Sequence, residues 1–505
     1  MKKQNTRRAF PAAVLFAFLS VVLASCDLFA PDSPGDHNRP MAYNEFFAQN
    51  FVTGAYYVLA ADMLAEGRYV RVWAERGSGV SREQAQAIAD EYDYRIRPGI
   101  VNVFARKDFM FSHAGSEIHF DDVLHFANWL TGGDDGKLTI LLLDIRDGWR
   151  DPQTDAYVAG YFFSGDFFPQ GRIPGTNHFS NGRDMIYIDT FPGLLPQNWD
   201  QALLTIAHEL QHLVNFATTV QMGRIRMMDL WIDEGLASQA EHVYLEGNVR
   251  RHVEWFARDI VGTIAAGNNF FVWGNHVNRE PLAILDDYAT VYLFFRWLFL
   301  QAQANTEPEF HERLFYKMVT SPHYDYRIVT ELAKEINPDW ASWDVLLKTW
   351  LAANFYPESP VFGYLNDDEL RGGLRVRPIV GQEAVPLYPG EGVFSRIVGP
   401  FVPPASGRNV RYAGVAPGGI FPFDDGPIAG DFLLTFNVDT NASARAETGF
   451  LTGAPPANLG RGAEEPLPAF AGPFVIDARD VRGRNTETEI RDFFFPRRNT
   501  ENRGR

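Results

Sequence analysis

Two histidines one helical turn apart, with a glutamate directly after the first, are the residues of this sequence best spaced to do chemistry: His208-Glu209-Leu210-Gln211-His212. On an α-helix positions i and i+4 share a face, so both imidazoles can reach one zinc ion while Glu209 stands beside them as a carboxylate able to hold a water. Catalytic zinc usually takes three protein ligands and keeps a fourth position for water. Glu234, in Trp231-Ile232-Asp233-Glu234-Gly235-Leu236-Ala237, is the third ligand this reading selects. It opens an apolar helical stretch, 235–245, that can return antiparallel to the first helix after a turn near Gly223. Glu241 follows two helical turns on, on the same face, where it can hydrogen-bond a histidine nitrogen not used for metal. Asp233 points about 100° away around such a helix and ranks below Glu234. A structural zinc would more often use cysteine, and none lies near the motif.

The histidine pair, Trp-x-x-Glu-Gly-x-Ala and the later glutamate resemble the gluzincin metallopeptidases. The wider context, 207–216 and 231–236, is most similar to the hyicolysin-type family of bacterial secreted peptidases, with specific similarity over about residues 138–298. That resemblance implies an α+β chain: a thermolysin-like zincin catalytic unit with a mixed β-sheet lobe, an α-helical lobe and a cleft between them. Tyr288 stands after the ligands much as the oxyanion-stabilising tyrosine of aminopeptidase-like gluzincins does, although the Lys-Gly that usually follows is missing. Tyr292 is the reserve, and His242 and His276 read as ordinary polar residues.

The chemistry expected of such a site is peptide hydrolysis. One catalytic zinc on His208, His212 and Glu234 would activate water, with Glu209 taking its proton and passing it to the leaving amine. The sequence shows no recognised motif for capturing a free amino terminus, which favours an endopeptidase. Two other readings stay open: a surface-binding lipoprotein that keeps a peptidase fold, and a zinc hydrolase of a non-peptide substrate.

The positioning elements are legible around these groups. The metal helix is expected over 200–216 with Asp200 as N-cap. Hydrophobic runs at 137–144 and 184–189 read as buried strands, and 56–74 as further strands. Ser81 and Gln84 mark a capped helix over 81–94. The glycine-punctuated aromatic segment 158–168 reads first as a hairpin on the core, and alternatively as a cleft wall that aligns a peptide through backbone hydrogen bonds. Helices are expected over 287–301, 310–319, 327–336 and 340–354. Beyond about residue 357, short alternating runs between Pro and Gly suggest a small all-β C-terminal domain, a sandwich.

Lys2, Lys3, Arg7 and Arg8 precede an apolar run over 9–24, the pattern of an export signal. Leu23-Ala24-Ser25-Cys26 resembles the bacterial lipobox, which implies lipid on Cys26, the sole cysteine. Thr6 to Phe10 resembles a twin-arginine signal, but Pro11 interrupts it, and the general secretory route is favoured. The expected organisation is a lipoprotein signal peptide (1–25), lipidated Cys26 and tether (26–41), α/β lobe with the metal helix (42–222), helical lobe (223–357), β-rich domain (358–490) and flexible tail (491–505). The partners expected are a protein or peptide substrate and, through the lipid, a membrane of the bacterial cell envelope, on its periplasmic face or at the cell surface. A net charge of −17 argues against nucleic acid. Nothing in the sequence sets the oligomeric state.

Overall fold

A computed structural model describes residues 16–17, 42–105, 137–149, 157–167, 169–173, 176–221, 227–258, 270–271, 284–374, 376–379, 386–397, 409–422, 431–440 and 446–447. Cys26, nearly all of the leader and tether, His276 and the tail lie outside the described residues.

The central sheet has six strands: β1 (Glu45–Gln49), β2 (Tyr56–Glu66), β3 (Val70–Glu75), β4 (Leu138–Leu143), β5 (Gly160–Phe162) and β6 (Met185–Asp189). Their order is β1-β2-β3-β4-β6-β5. β4 pairs in parallel with both β3 and β6, and the remaining pairs are antiparallel. β4 reads Leu-Thr-Ile-Leu-Leu-Leu and every residue is buried, as expected of a parallel strand covered on both faces. Alternate residues supply the two faces. Leu138, Ile140, Leu142, Ile186 and Ile188 face the helical core, whereas Leu141, Leu143, Met185 and Tyr187 pack with Phe46 and Trp73 on the other side.

Helix α1 (Arg82–Glu91) opens on a capping box between Ser81 and Gln84, which typically contributes about 1 kcal/mol. The chain then continues through a π turn (Tyr92–Ile96) into α2 (Arg97–Phe104). Next come α3 (Trp199–Gln221), α4 (Leu230–Leu245), α5 (Arg250–Arg258) and α6 (Ile284–Asn305). The expected helix over 310–319 is broken into Pro308–His311 and Leu314–Val319, and α7 (Arg327–Ile336) and α8 (Trp343–Phe355) follow. Asp200 is not the N-cap of α3. A 3-10 turn, Pro196–Asn198, runs directly into the helix, and Asp200 lies in its first turn, where a carboxylate still favours the helix dipole.

α4 packs against both α3 and α6, and its residues 231–241 are buried without a break. A helix hydrophobic or buried all round belongs in a core; here that core must also hold Asp233, Glu234 and Glu241. Gly235 permits the close approach to α6, since a Cβ there would come within 2.4 Å of the Phe295 ring.

The described C-terminal strands, β7 (Gly392–Arg396), β8 (Val410–Ala416), β9 (Gly419–Pro422) and β10 (Phe432–Asn437), form one antiparallel sheet ordered β7-β10-β8-β9. It does not stand apart from the helices: Phe355 of α8 stacks on Phe394 at 4.2 Å and meets Phe432 at 4.8 Å. Among the described residues no helix is long and apolar enough to cross a membrane.

Candidate metal centre

α3 presents His208 and His212 one turn apart, and α4 crosses it antiparallel, because His208 meets Glu241 while His212 meets the earlier residue Asp233. Glu234 sits between these two contacts. Its Oε2 lies 3.2 Å from His208 Nε2 and 3.4 Å from His212 Nε2. Two ligands of a tetrahedral zinc with bonds of about 2.0–2.1 Å stand about 3.3 Å apart. The ligand atoms of all three residues lie within 4.8 Å of one another, and all three residues are buried.

The far nitrogens of both imidazoles are already engaged. His208 Nδ1 donates to Glu241 Oε1 at 2.8 Å, and His212 Nδ1 donates to Asp233 Oδ2 at 2.9 Å. That assignment leaves each Nε2 as a lone pair turned towards an anionic oxygen of Glu234, an arrangement that a cation completes. The donor set of two imidazoles and a carboxylate suits zinc. Glu241 is held in turn by an ion pair with Arg251 of α5, and Asp233 accepts from the Asn215 side chain.

Electrostatics reinforce the need for positive charge. Burial would lower His208 and His212, but Glu234 and Glu241 outweigh it at His208, and Asp233 and Glu234 do so strongly at His212; both are raised. Burial would raise Glu234, but His212 and His208 hold it down at about 2. Glu209 behaves differently. Burial dominates there, the histidines oppose it only in part, and its carboxyl is pushed up to about 7, while the Phe162 backbone N–H donates to it.

That bond joins the site to the sheet. β5, in the segment expected first as a hairpin on the core, is the last strand of the sheet order, antiparallel to β6 and packed beside α3. The segment packs on the core, as its first reading expects, with residues 157–162 buried, and among the described residues its strand is paired to β6 with no hairpin partner of its own.

Tyr288, in the first turns of α6, is buried with its ring centroid 6.3 Å from that of His208. Burial, then the charges of Glu234, Glu209 and Glu241, hold the pKa of its hydroxyl well above the usual tyrosine value. Tyr292 is committed elsewhere: its hydroxyl accepts from the Val249 N–H at 2.8 Å and contacts Asn248 Oδ1 and His242 Nδ1, each at 3.3 Å.

Asp233, Asn215 and Arg251 were not selected from the sequence. For Asp233 the signal was present, since it adjoins a ligand, but helical rotation alone turned it away from the metal and gave no account of the flank it faces. Arg251 carries no sequence signal; the packing of α5 brings it in.

No protein-family model matches the chain. It is 29 % identical over 248 residues to the neutral metalloprotease ShpI of Staphylococcus hyicus, a match covering 48 % of this chain and 48 % of that protein. The chain thus spans about half the length of the curated relative it matches. This distant likeness to a metalloprotease accompanies a buried His-His-Glu group that could hold a metal ion, in a mixed α/β fold.

Proposed function

We propose that this chain is a zinc-dependent endopeptidase, exported to the bacterial cell envelope and anchored through lipid on Cys26. One observation carries the peptidase reading: Glu209, a buried carboxyl next to His208 on α3, sits beside the His208–His212–Glu234 group on a helix packed against the outermost strand of the sheet. Zinc, when bound, supplies a Lewis acid for the substrate carbonyl and lowers the pKa of a water.

The protein's own groups do the rest. His208, His212 and Glu234 hold the ion, while Glu241 and Asp233 fix the two ring orientations. Glu209 takes a proton from the attacking water and returns it to the leaving amine, as a carboxylate beside the metal-binding group can. Tyr288 donates a hydrogen bond to the oxygen that becomes negative. The backbone of β5, Gly160–Phe162, aligns an extended peptide, and internal cleavage rests on the sequence's lack of a motif for capturing a free amino terminus. The lipid anchor rests on the sequence around Cys26.

The test is zinc content and cleavage of casein or quenched peptides by the unmutated protein and Glu209→Gln. About one zinc per chain in both, with cleavage only by the unmutated protein, is the expected result. Zinc without cleavage of any peptide refutes the peptidase, and absence of zinc refutes the metal site. Lipid on Cys26 is tested by mass: an intact membrane-fraction protein carrying no added acyl mass refutes the anchor.

A further inference from the structure

We propose that Arg251 is a positioning residue for the metal centre: it holds Glu241 so that His208 presents its Nε2 lone pair to the ion. The proposal rests on the metal site of the reading above and not on peptide cleavage.

Glu241 is fully buried and divides its two oxygens between partners. Oε1 accepts from His208 Nδ1 at 2.8 Å, and Oε2 pairs with the Arg251 guanidinium. His252 Nε2 stands 3.5 Å from the same Oε2. The terminal torsion of a glutamate is soft, so one hydrogen bond to an imidazole does not by itself fix the carboxylate plane. Engagement of the second oxygen does. A guanidinium stays charged and only donates, and the ionised carboxylate paired with it only accepts. The hydrogen of the Glu241–His208 bond therefore belongs to Nδ1, which leaves Nε2 as the lone pair. Asp233, the carboxylate on His212, takes the neutral Asn215 amide instead, so the two imidazoles are oriented by different means.

The fold returns Arg251 to a residue ten positions earlier in the chain. α4 ends at Glu246, whose φ of 55° is left-handed, and the Gly247 N–H reaches back to the His242 carbonyl at 3.3 Å. The chain then turns into α5, and that entry is pinned. The Val249 N–H donates to the Tyr292 hydroxyl at 2.8 Å, and the Tyr292 ring stacks on His252 at 5.0 Å. The Asn248 amide donates to both Asp367 oxygens at 3.1 Å. Tyr292 stands on α6 one turn beyond Tyr288, and its carbonyl accepts from the Gln239 side chain of α4 at 2.9 Å. Three helices are thus tied together where Arg251 meets Glu241, and the guanidinium is in place before any ion binds.

The experiment measures zinc affinity of the full chain by competition with a chelator, in a cycle of Arg251→Met, Glu241→Gln and the double variant, with Arg251→Lys beside them. Direct partners of a ligating histidine typically contribute 10–100-fold in affinity, and Arg251→Met, acting through such a partner, is expected to lose roughly ten-fold. Arg251→Lys keeps the charge but not the fork and recovers part of the loss. In the Glu241→Gln background, Arg251→Met costs less than about two-fold, because residues that act through one contact are not additive. A purely structural ion pair lowers the urea midpoint of the zinc-free protein and leaves zinc affinity where it was. That result, or an equal loss of affinity in both backgrounds, overturns the proposal. If Arg251→Met does not fold, Arg251→Lys in the same two backgrounds is judged by the same criterion. Absence of zinc from the unmutated protein refutes the metal site and the proposal with it, whereas zinc bound by that protein with additive losses refutes the proposal alone.

Discussion

Asp233 accepts a hydrogen bond from Nδ1 of His212 at 2.9 Å, the counterpart of the bond that Glu241 accepts from His208 at 2.8 Å. One helix, α4, therefore carries the carboxylate between the two imidazoles and both carboxylates that orient them. Replacing such partners typically costs 10–100-fold in metal affinity. Asp233→Ala is expected to weaken zinc binding by roughly that factor, measured by competition with a chelator, with Asp233→Asn restoring part of it. Unchanged affinity in Asp233→Ala would remove the residue from the site.

Gly235 adjoins Glu234 and faces Phe295, where an added Cβ would come within 2.4–2.5 Å of ring atoms. Alanine is the better helix former by about 1 kcal/mol, but overpacking of this kind costs about 1–3 kcal/mol. Since the clash lies on the helix carrying the ligands, Gly235→Ala is expected to lower both the urea midpoint and zinc affinity. A variant more stable than the parent would show that α4 and α6 can part freely.

Tyr288→Phe removes only the hydroxyl near the buried carboxylates. If that hydroxyl supports the developing oxyanion, kcat falls by roughly a hundred-fold or more while KM and zinc content hold. A change confined to KM, or none, would leave Tyr288 a core residue.

Asp166 gives stability a pH dependence separate from the metal centre. It is fully buried, takes hydrogen bonds from the Tyr187 hydroxyl and the Asn181 N–H, each at 2.6 Å, and burial still pushes it up to about 7. A folded-state pKa above the unfolded value means that its stabilisation is fully present below about pH 4 and is lost as pH rises to about 7. The loss is up to about 4 kcal/mol over that window. Denaturant unfolding at pH 5 and pH 8 is expected to show a larger drop for the unmutated protein than for Asp166→Asn. Equal drops in the two proteins would contradict this.

Zinc removal by a chelator is expected to destabilise the fold, because it leaves Glu234 and two imidazoles buried without their shared cation. The thermal midpoint should fall on chelation and recover on adding zinc. A midpoint indifferent to zinc would mean that the site holds no ion.

The sequence by itself determined what depends on short-range periodicity. The i, i+4 spacing puts His208 and His212 on one helix face wherever that helix lies. A run such as Leu138–Leu143 can only be buried, and Ser81 with Gln84 starts a helix because the cap is satisfied within one turn. Helix α7 was legible to its ends for the same reason: its apolar faces repeat locally. Tertiary structure decided everything that depends on how two such elements cross. Rotation around α4 separates Asp233 from Glu234 by about 100°, yet the antiparallel crossing over α3 gives each flank a histidine. The raised carboxyl of Glu209 is likewise a product of burial, which outweighs the histidines and the Phe162 backbone that act against it, and no local pattern announces it.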